Sequence, residues 1–316
     1  MTAHRILVLG ASGFIGKRVI AALTRTDWAL PVAVGRQAGA SSGVEQLTLD
    51  ATDAAALAVA MRGAHGVVSC IAGDASAIVA GARALFQHGS GVPPRIVYLS
   101  SMAVYGSASG VVTEDAPLVG DLGPYSAAKV EAEALAAAAA NTVVLRPGCV
   151  YGPGSAQWTD RIAEWLVARR IGDLGAGGDG YCNLIHVDDV ASAVLLALQK
   201  PQAVGQAFNL SMDDPPTWNE YFVRFGRALK AVPVERISRR RLMLETKLAA
   251  PPLKIAEIAL KRLKLRLRLP QPIPPSLLGL WRQEIRLSMT KTESQLGLVC
   301  RPLDSGLAEA AAAYRS

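Results

Sequence analysis

Aromatic residues are scarce in this chain. Five Phe, seven Tyr and five Trp make up 5% of its 316 residues, and the apolar half is mostly Ala, Val and Leu. Cysteine is equally sparse: Cys70, Cys149, Cys182 and Cys300 lie far apart and form no CxxC pair. That argues against a disulfide framework or a structural zinc site and for reduced thiols. The four histidines show no metal-ligand spacing, so no metal is expected. No uninterrupted apolar stretch reaches the ~18–20 residues of a spanning helix. The short run Ile6–Leu9 meets glycine at once, unlike a secretory leader, so a cytoplasmic protein is expected.

Charge is also unevenly supplied. The chain carries a net +7. Residues 236–268 hold eleven Lys or Arg and two Glu, a local +9, so the remainder is 7 − 9 = −2. A general nucleic-acid footprint on the folded domain is therefore not expected.

What is present is a rhythm of apolar strands and helical stretches. Arg5–Leu9, Pro31–Val34, Gln46–Leu49, Gly66–Cys70, Arg95–Ser100 and Thr142–Arg146 read as buried strands. Between them, helical patterns run to Leu23, over Ala54–Met61, about Ala75–His88 and Tyr125–Ala140. This alternation implies an α/β fold, a Rossmann-type doubly wound parallel sheet covered on both faces. Past Pro147, a helix is expected from about Trp158 to Arg169, then a glycine-rich loop, a strand at Asn183–Val187, a helix at Asp189–Gln199 and a strand at Gln206–Leu210 returning to the main sheet. The expected division is a nucleotide-binding domain of residues 1–150 plus about 184–211, and a smaller substrate-binding lobe of about 151–183 and 212–316.

Between the first strand and first helix stands Gly10-Ala-Ser12-Gly13-Phe14-Ile15-Gly16. Glycines there permit a tight turn, close backbone approach to a pyrophosphate, and close packing of helix on strand. The helix N-terminus then offers free N–H groups to phosphate. The spacing is GxxGxxG rather than GxGxxG, so an ordinary glycine turn is the competing reading. At the end of the second strand stands Arg36 rather than a carboxylate. A guanidinium suits a ribose 2′-phosphate and favours NADP over NAD; the alternative is a solvated strand-end arginine. Asp50, after the third strand, either meets the adenine region or serves a turn.

Tyr125 and Lys129 are four apart, on one face of the helix before the sixth strand. Ser101 lies just past the fifth strand, at the carboxyl edge where open parallel sheets bind ligands. Hydride transfer between a carbinol and a nicotinamide requires a proton to leave or join the oxygen. A phenol with a pKa near ~10 is a poor base. An ammonium about 4 Å away supplies ~4 kcal/mol at an effective dielectric of ~20, roughly three pKa units. Lys129 is thus expected to acidify Tyr125 and hold the nicotinamide ribose, with Ser101 orienting the substrate oxygen.

With these pieces on the page, the chain resembles the extended short-chain dehydrogenase/reductase family, also called the NAD-dependent epimerase/dehydratase family. The resembling segments are GASGFIG at 10–16, YLSSMAVYG at 98–106, YSAAK at 125–129, RPGCVYGPG at 146–154, IHVDDVA at 185–191 and the tail 296–315. The resemblance implies a catalytic Ser101, Tyr125 and Lys129. It places Pro147, Gly148 and Val150 in the loop beside the nicotinamide, and His186 and Asp189 in a structural segment. Ala72, after the fourth strand, and Ser100 complete the expected cofactor-binding set. Met102-Ala103 replaces the acidic pair of the family's dehydratases, and Cys182-Asn183 replaces an Arg-Asp of many sugar-nucleotide members.

The implied activity is hydride exchange between NADP(H), with NAD as the alternative, and a secondary alcohol or ketone. A nucleotide-sugar epimerase using the same triad is the first alternative. A nucleotide-sensing regulatory protein is the second, disfavoured by the intact triad. Homodimerisation through the helices at about 75–88 and 126–140 is a family expectation. Three readings attach to 236–268: a solvated wall of the lobe, an attractor of an anionic substrate, or a peripheral contact with an anionic membrane near a lipid-like substrate.

Overall fold

Seven parallel strands form one sheet in a computed structural model that describes residues 3–37, 43–87, 94–249 and 270–315. The strands are β1 (His4–Leu9), β2 (Ala29–Gly35), β3 (Glu45–Thr48), β4 (Gly66–Ser69), β5 (Arg95–Leu99), β6 (Thr142–Pro147) and β7 (Ala207–Leu210). Their order is β7-β6-β5-β4-β1-β2-β3, with register pairs such as Leu7↔Val32, Val68↔Val97 and Val97↔Val143. The strand order reverses at β1/β4, the place where doubly wound sheets take their ligands.

The chain groups into two compact units. The first comprises 1–150, 185–213 and 287–300 and contains the whole sheet. Residues 287–300, expected in the smaller lobe, therefore belong with the sheet. Five helices of this unit matter here: α1 (Phe14–Thr24), α2 (Ala54–Met61), α3 (Ala75–Phe86), α4 (Pro124–Ala138) and α5 (Val187–Gln199). Val and Leu on alternate strand positions feed two separate cores, as burial on both sheet faces requires. Ile6, Val8, Val68, Val97 and Val143 pack with α1 and α5. Leu7, Leu9, Val67, Ile96 and Val144 pack with α2, α3 and α4.

The helix starts are not alike. Asp53 caps α2 by accepting from the Ala56 N–H at 3.0 Å, and Asp74 caps α3 by accepting from Ala77 at 2.9 Å. α1 begins after Gly13 with no side-chain cap, so its first N–H groups keep their capacity for another acceptor.

The second unit comprises 151–184, 214–286 and 301–316. Its core holds many of the few aromatics. On α6 (Trp218–Ala228), Trp218, Tyr221, Phe222 and Phe225 are fully buried, and Trp281 meets Phe222 edge-on at 5.5 Å. A reciprocal Thr217/Glu220 capping box starts that helix. The closing helix α7 (Leu303–Arg315) packs on α6, with Arg224 paired to Asp304 at 2.8 Å. The helix expected from about Trp158 is regular only over Arg161–Val167; Ala156–Asp160 forms a wider turn capped by Ser155. The strand read at Asn183–Val187 is Leu184–His186, and it lies outside the main sheet. Of the basic segment, only its beginning falls within the described residues. Arg236 pairs with Asp173 at 2.8 Å, and Arg241 reaches Glu235 and the Arg169 carbonyl. The run Lys261–Leu269, with its alternating basic and apolar residues, lies outside them. No described helix is long and apolar enough to cross a membrane.

Candidate active site

The glycine loop follows β1 directly and is shaped by close backbone contacts. Gly10 has φ +74°, and a Cβ there would stand 2.9 Å from the Cys70 carbonyl oxygen. At Gly16 a Cβ would be 2.3 Å from the Gly10 oxygen and 2.8 Å from the Ala11 Cα. No side chain can be accommodated at either place without moving backbone. The Gly10 and Ala11 N–H groups are taken by the Val34 carbonyl. Ser12 and Gly13 are exposed, whereas the Phe14 and Ile15 side chains turn back against the apolar core. What this loop presents to solvent is therefore backbone and the Ser12 hydroxyl. That suits a diphosphate.

The other expected cofactor residues line the carboxyl edge of the same sheet. Arg36 is exposed just past β2. Asp50 holds a turn: its carboxylate accepts from the Thr52 N–H at 3.0 Å and the Thr52 hydroxyl at 2.9 Å. Those bonds hold it below the usual carboxylate range, with a smaller contribution from the Arg36 charge. Arg36 thus faces the Asp50 carboxylate closely enough for the two charges to interact. Ala72 is exposed past β4. Ser100 is 4% exposed and its Oγ has no hydrogen-bond partner within the described structure, a buried hydroxyl that a ligand could satisfy. Pro147 and Val150 are buried at the end of β6, and Gly148 between them donates to the Leu210 carbonyl.

Ser101, Tyr125 and Lys129 come together at this edge. Ser101 starts a short turn by accepting from the Ala103 N–H at 3.2 Å, and its hydroxyl lies close enough to Tyr125 to lower the pKa of the phenol. Lys129 lies one turn further along α4, 3% exposed, and donates to the Leu99 carbonyl at 2.8 Å. Its Nζ stands 6.0 Å from the centre of the Tyr125 ring. Burial around the Tyr125 hydroxyl pushes its pKa up, and the Ser101 hydrogen bond opposes that shift. Burial pulls Lys129 down to about 8, against the charge of Glu133 and, more weakly, Cys70.

Sequence reasoning passed over the residues that hold this arrangement. Ser126 donates to the Ala103 carbonyl at 2.6 Å, tying α4 to the Ser101 turn. Glu133, 3% exposed, accepts two bonds from Arg146 Nε and one from Nη2 at 2.7 Å. The other Arg146 nitrogen donates to the Tyr105 hydroxyl and the Glu114 carbonyl, each at 2.8 Å. Tyr105 in turn donates to Asn209 at 2.6 Å. Two signals were available: Glu133 repeats the four-residue step from Tyr125 to Lys129, and Arg146 is a charge in an otherwise apolar strand. His186 and Asp189, read as structural, are buried at the head of α5, where His186 Nδ1 accepts from the Asp188 N–H at 3.2 Å. In the second unit Cys182 and Asn183 are engaged with backbone, donating to the Pro216 and Ile285 carbonyls at 2.7 and 2.8 Å. All four cysteines are free thiols.

Comparison with known proteins accords with this edge. The model of the NAD dependent epimerase/dehydratase family matches residues 6–211, from the first strand to the last strand of the sheet. The chain belongs to that family. It is accordingly an NAD-dependent enzyme of reductase or epimerase type on a Rossmann fold. Among curated relatives, a Streptomyces 3-diazoavenalumate denitrifying reductase is 27% identical over 253 residues, covering 72% of this chain and 83% of that protein. The 2-alkyl-3-oxoalkanoate reductase of Stenotrophomonas maltophilia is 32% identical over 174 residues, half of each chain. A short-chain dehydrogenase/reductase superfamily protein of Agrobacterium tumefaciens, solved with bound NAD, superimposes with TM-score 0.71 at 22% identity, covering 99% of this chain and 97% of that one. UDP-glucuronic acid 4-epimerase of Bacillus cereus, solved with its nucleotide sugar and NAD, gives 0.70 at 16%, covering 98% and 99%. At these identities the two structures establish a shared fold.

Proposed function

We propose that this family member is a net oxidoreductase that interconverts a ketone and a secondary alcohol, with Tyr125 as acid/base, Ser101 as orienting donor and Lys129 as the buried cation. The observation that carries the reading is the Ser101 hydroxyl beside a half-exposed Tyr125, with the Lys129 ammonium buried one turn further along α4. The chain's own residues fit a dinucleotide: the uncapped α1 with its Gly10–Gly16 loop would hold the diphosphate, Ser100 offers an unsatisfied hydroxyl, and Pro147 and Val150 border the nicotinamide end.

When bound, the dinucleotide supplies or accepts the hydride. Tyr125 gives its hydroxyl proton to the carbonyl oxygen as the new C–H bond forms at the carbonyl carbon; in the oxidative direction it takes that proton back. Ser101 holds the oxygen against Tyr125. Lys129 favours the phenolate that remains. Arg36 supports NADP as the preferred dinucleotide, since its guanidinium matches a 2′-phosphate and its neighbour Asp50 is already engaged with Thr52. The reductase names of the two curated relatives support net redox over epimerisation, as does Met102-Ala103 against dehydration. We expect the enzyme to be cytoplasmic and to dimerise through α3 and α4.

The test uses purified protein, NADH and NADPH, and a panel of ketones and secondary alcohols set beside UDP-glucose and UDP-glucuronate. Loss of reduced nicotinamide with a ketone, stoichiometric with alcohol formed, is the expected result. Conversion of a UDP-sugar to its epimer without net cofactor turnover would replace this reading with the epimerase. Cofactor binding with neither reaction across the panel would count against both.

A further inference from the structure

Lys129 is surrounded by groups from β5, the end of β4 and α4 itself. Leu99 takes its hydrogen bond from β5, Tyr98 on β5 lies under the ammonium at 5.2 Å, Cys70 follows β4, and Tyr125 and Glu133 flank it on α4. Glu133 is the only carboxylate in that set, one helical turn beyond Lys129 on the same face. Burying an ammonium without a counter-charge favours its neutral form, and a neutral lysine gives Tyr125 no electrostatic help. Yet Glu133 is not a simple partner, because Arg146 holds both of its oxygens. Arg146 is in turn fixed by Tyr105 and Glu114, and Asn209 ties that cluster to β7 through its N–H to the Glu114 carboxylate at 2.8 Å. Both carboxylate oxygens are thus committed to Arg146.

We infer that Glu133, clamped by Arg146, is a positioning residue that sets the charge of Lys129: it keeps the buried lysine protonated at working pH while remaining too firmly held to neutralise it by direct pairing. The inference rests on the proposed role of Lys129 for its catalytic consequence, but its electrostatic content does not. Burial pulls Arg146 down, and the bonds and charge of Glu133, with a smaller contribution from Tyr105, more than reverse this, so the guanidinium stays charged. The charge of Glu133 likewise raises Lys129 against the burial that brings it to about 8.

The experiment is a pH titration of Lys129 by NMR in protein carrying isotope-labelled lysine, without substrate or dinucleotide. Glu133→Gln should lower the Lys129 midpoint by about one pH unit or more, from the field of a charge one helical turn away. Glu131→Gln removes an equal charge two residues earlier, from an exposed pair with Arg83, and should leave the midpoint in place. Because Glu133→Gln strands a buried guanidinium, a double variant with Arg146→Gln as well keeps hydrogen-bonding partners without charge; there a smaller fall is expected. A midpoint unmoved in whichever of these variants folds, or moved equally by Glu131→Gln, overturns the inference. Should both be folded and the substrate panel give turnover, the limb of the kcat/KM pH profile that reports Lys129 moves the same way. A shifted midpoint with no turnover in the parent protein would sink the functional reading and leave this one standing.

Discussion

Lys129 Nζ and the Tyr125 ring lie 6.0 Å apart, with the ammonium turned to the Leu99 carbonyl and the phenol to Ser101. No hydrogen bond between the two side chains is found among the described residues. Tyr125 keeps a proton to give, and Lys129 is left to favour the phenolate only as it forms.

Replacing Tyr125 with Phe removes that proton and little else. Turnover of the ketone substrate should fall by about 10²-fold or more, the usual worth of a positioned acid. Dinucleotide affinity, read by fluorescence titration, should change less than about threefold, because the phosphate loop is untouched. Retained turnover in Tyr125→Phe would refute the proposed acid.

Gly16→Ala tests the phosphate loop. The added methyl would stand 2.3 Å from the Gly10 oxygen and 2.8 Å from the Ala11 Cα, both backbone, so the loop must move. Overpacking of this kind costs about 1–3 kcal/mol. Thermal unfolding should show the loss, and dinucleotide affinity should drop by about tenfold or more.

Arg36 should decide between dinucleotides. Arg36→Asp exchanges a guanidinium for a carboxylate beside Asp50. A charge-assisted contact is worth about 1.5–3 kcal/mol, so NADP affinity should fall at least about tenfold while NAD affinity holds or rises. Equal losses for both would place Arg36 outside the ribose site.

The buried lysine leaves a mark on stability. Its folded pKa, about 8, lies below the ordinary lysine value of 10.5, so the unfolded chain binds that proton more tightly. The burial cost is fully present below pH 8 and is relieved as pH rises toward 10.5. Denaturant unfolding of wild type and Lys129→Met across this window should show wild type gaining on the variant by roughly 3 kcal/mol. A constant difference would mean that the lysine is not depressed.

Much of this was legible in the residues. The apolar strands, the glycine loop and the Tyr-Lys step are local patterns, and local patterns carry backbone periodicity and the edge of the sheet on which a residue falls. So β1–β7, the glycine turn before α1 and the placing of Ser101 and Tyr125 at one edge of the sheet follow from short stretches of chain. Geometry at the scale of an ångström did not. The direction of the Lys129 ammonium depends on where the Leu99 carbonyl lies, and the clamp on Glu133 needs Arg146 from β6, Tyr105 from the loop after β5 and Asn209 from β7. Those partners are separated by up to 104 positions in the chain. Residue types alone thus determined which functional groups the enzyme possesses and which edge of the sheet they share. Only the packing of distant strands decided which of those groups touch, because hydrogen bonding and burial depend on distances that no spacing along the chain encodes.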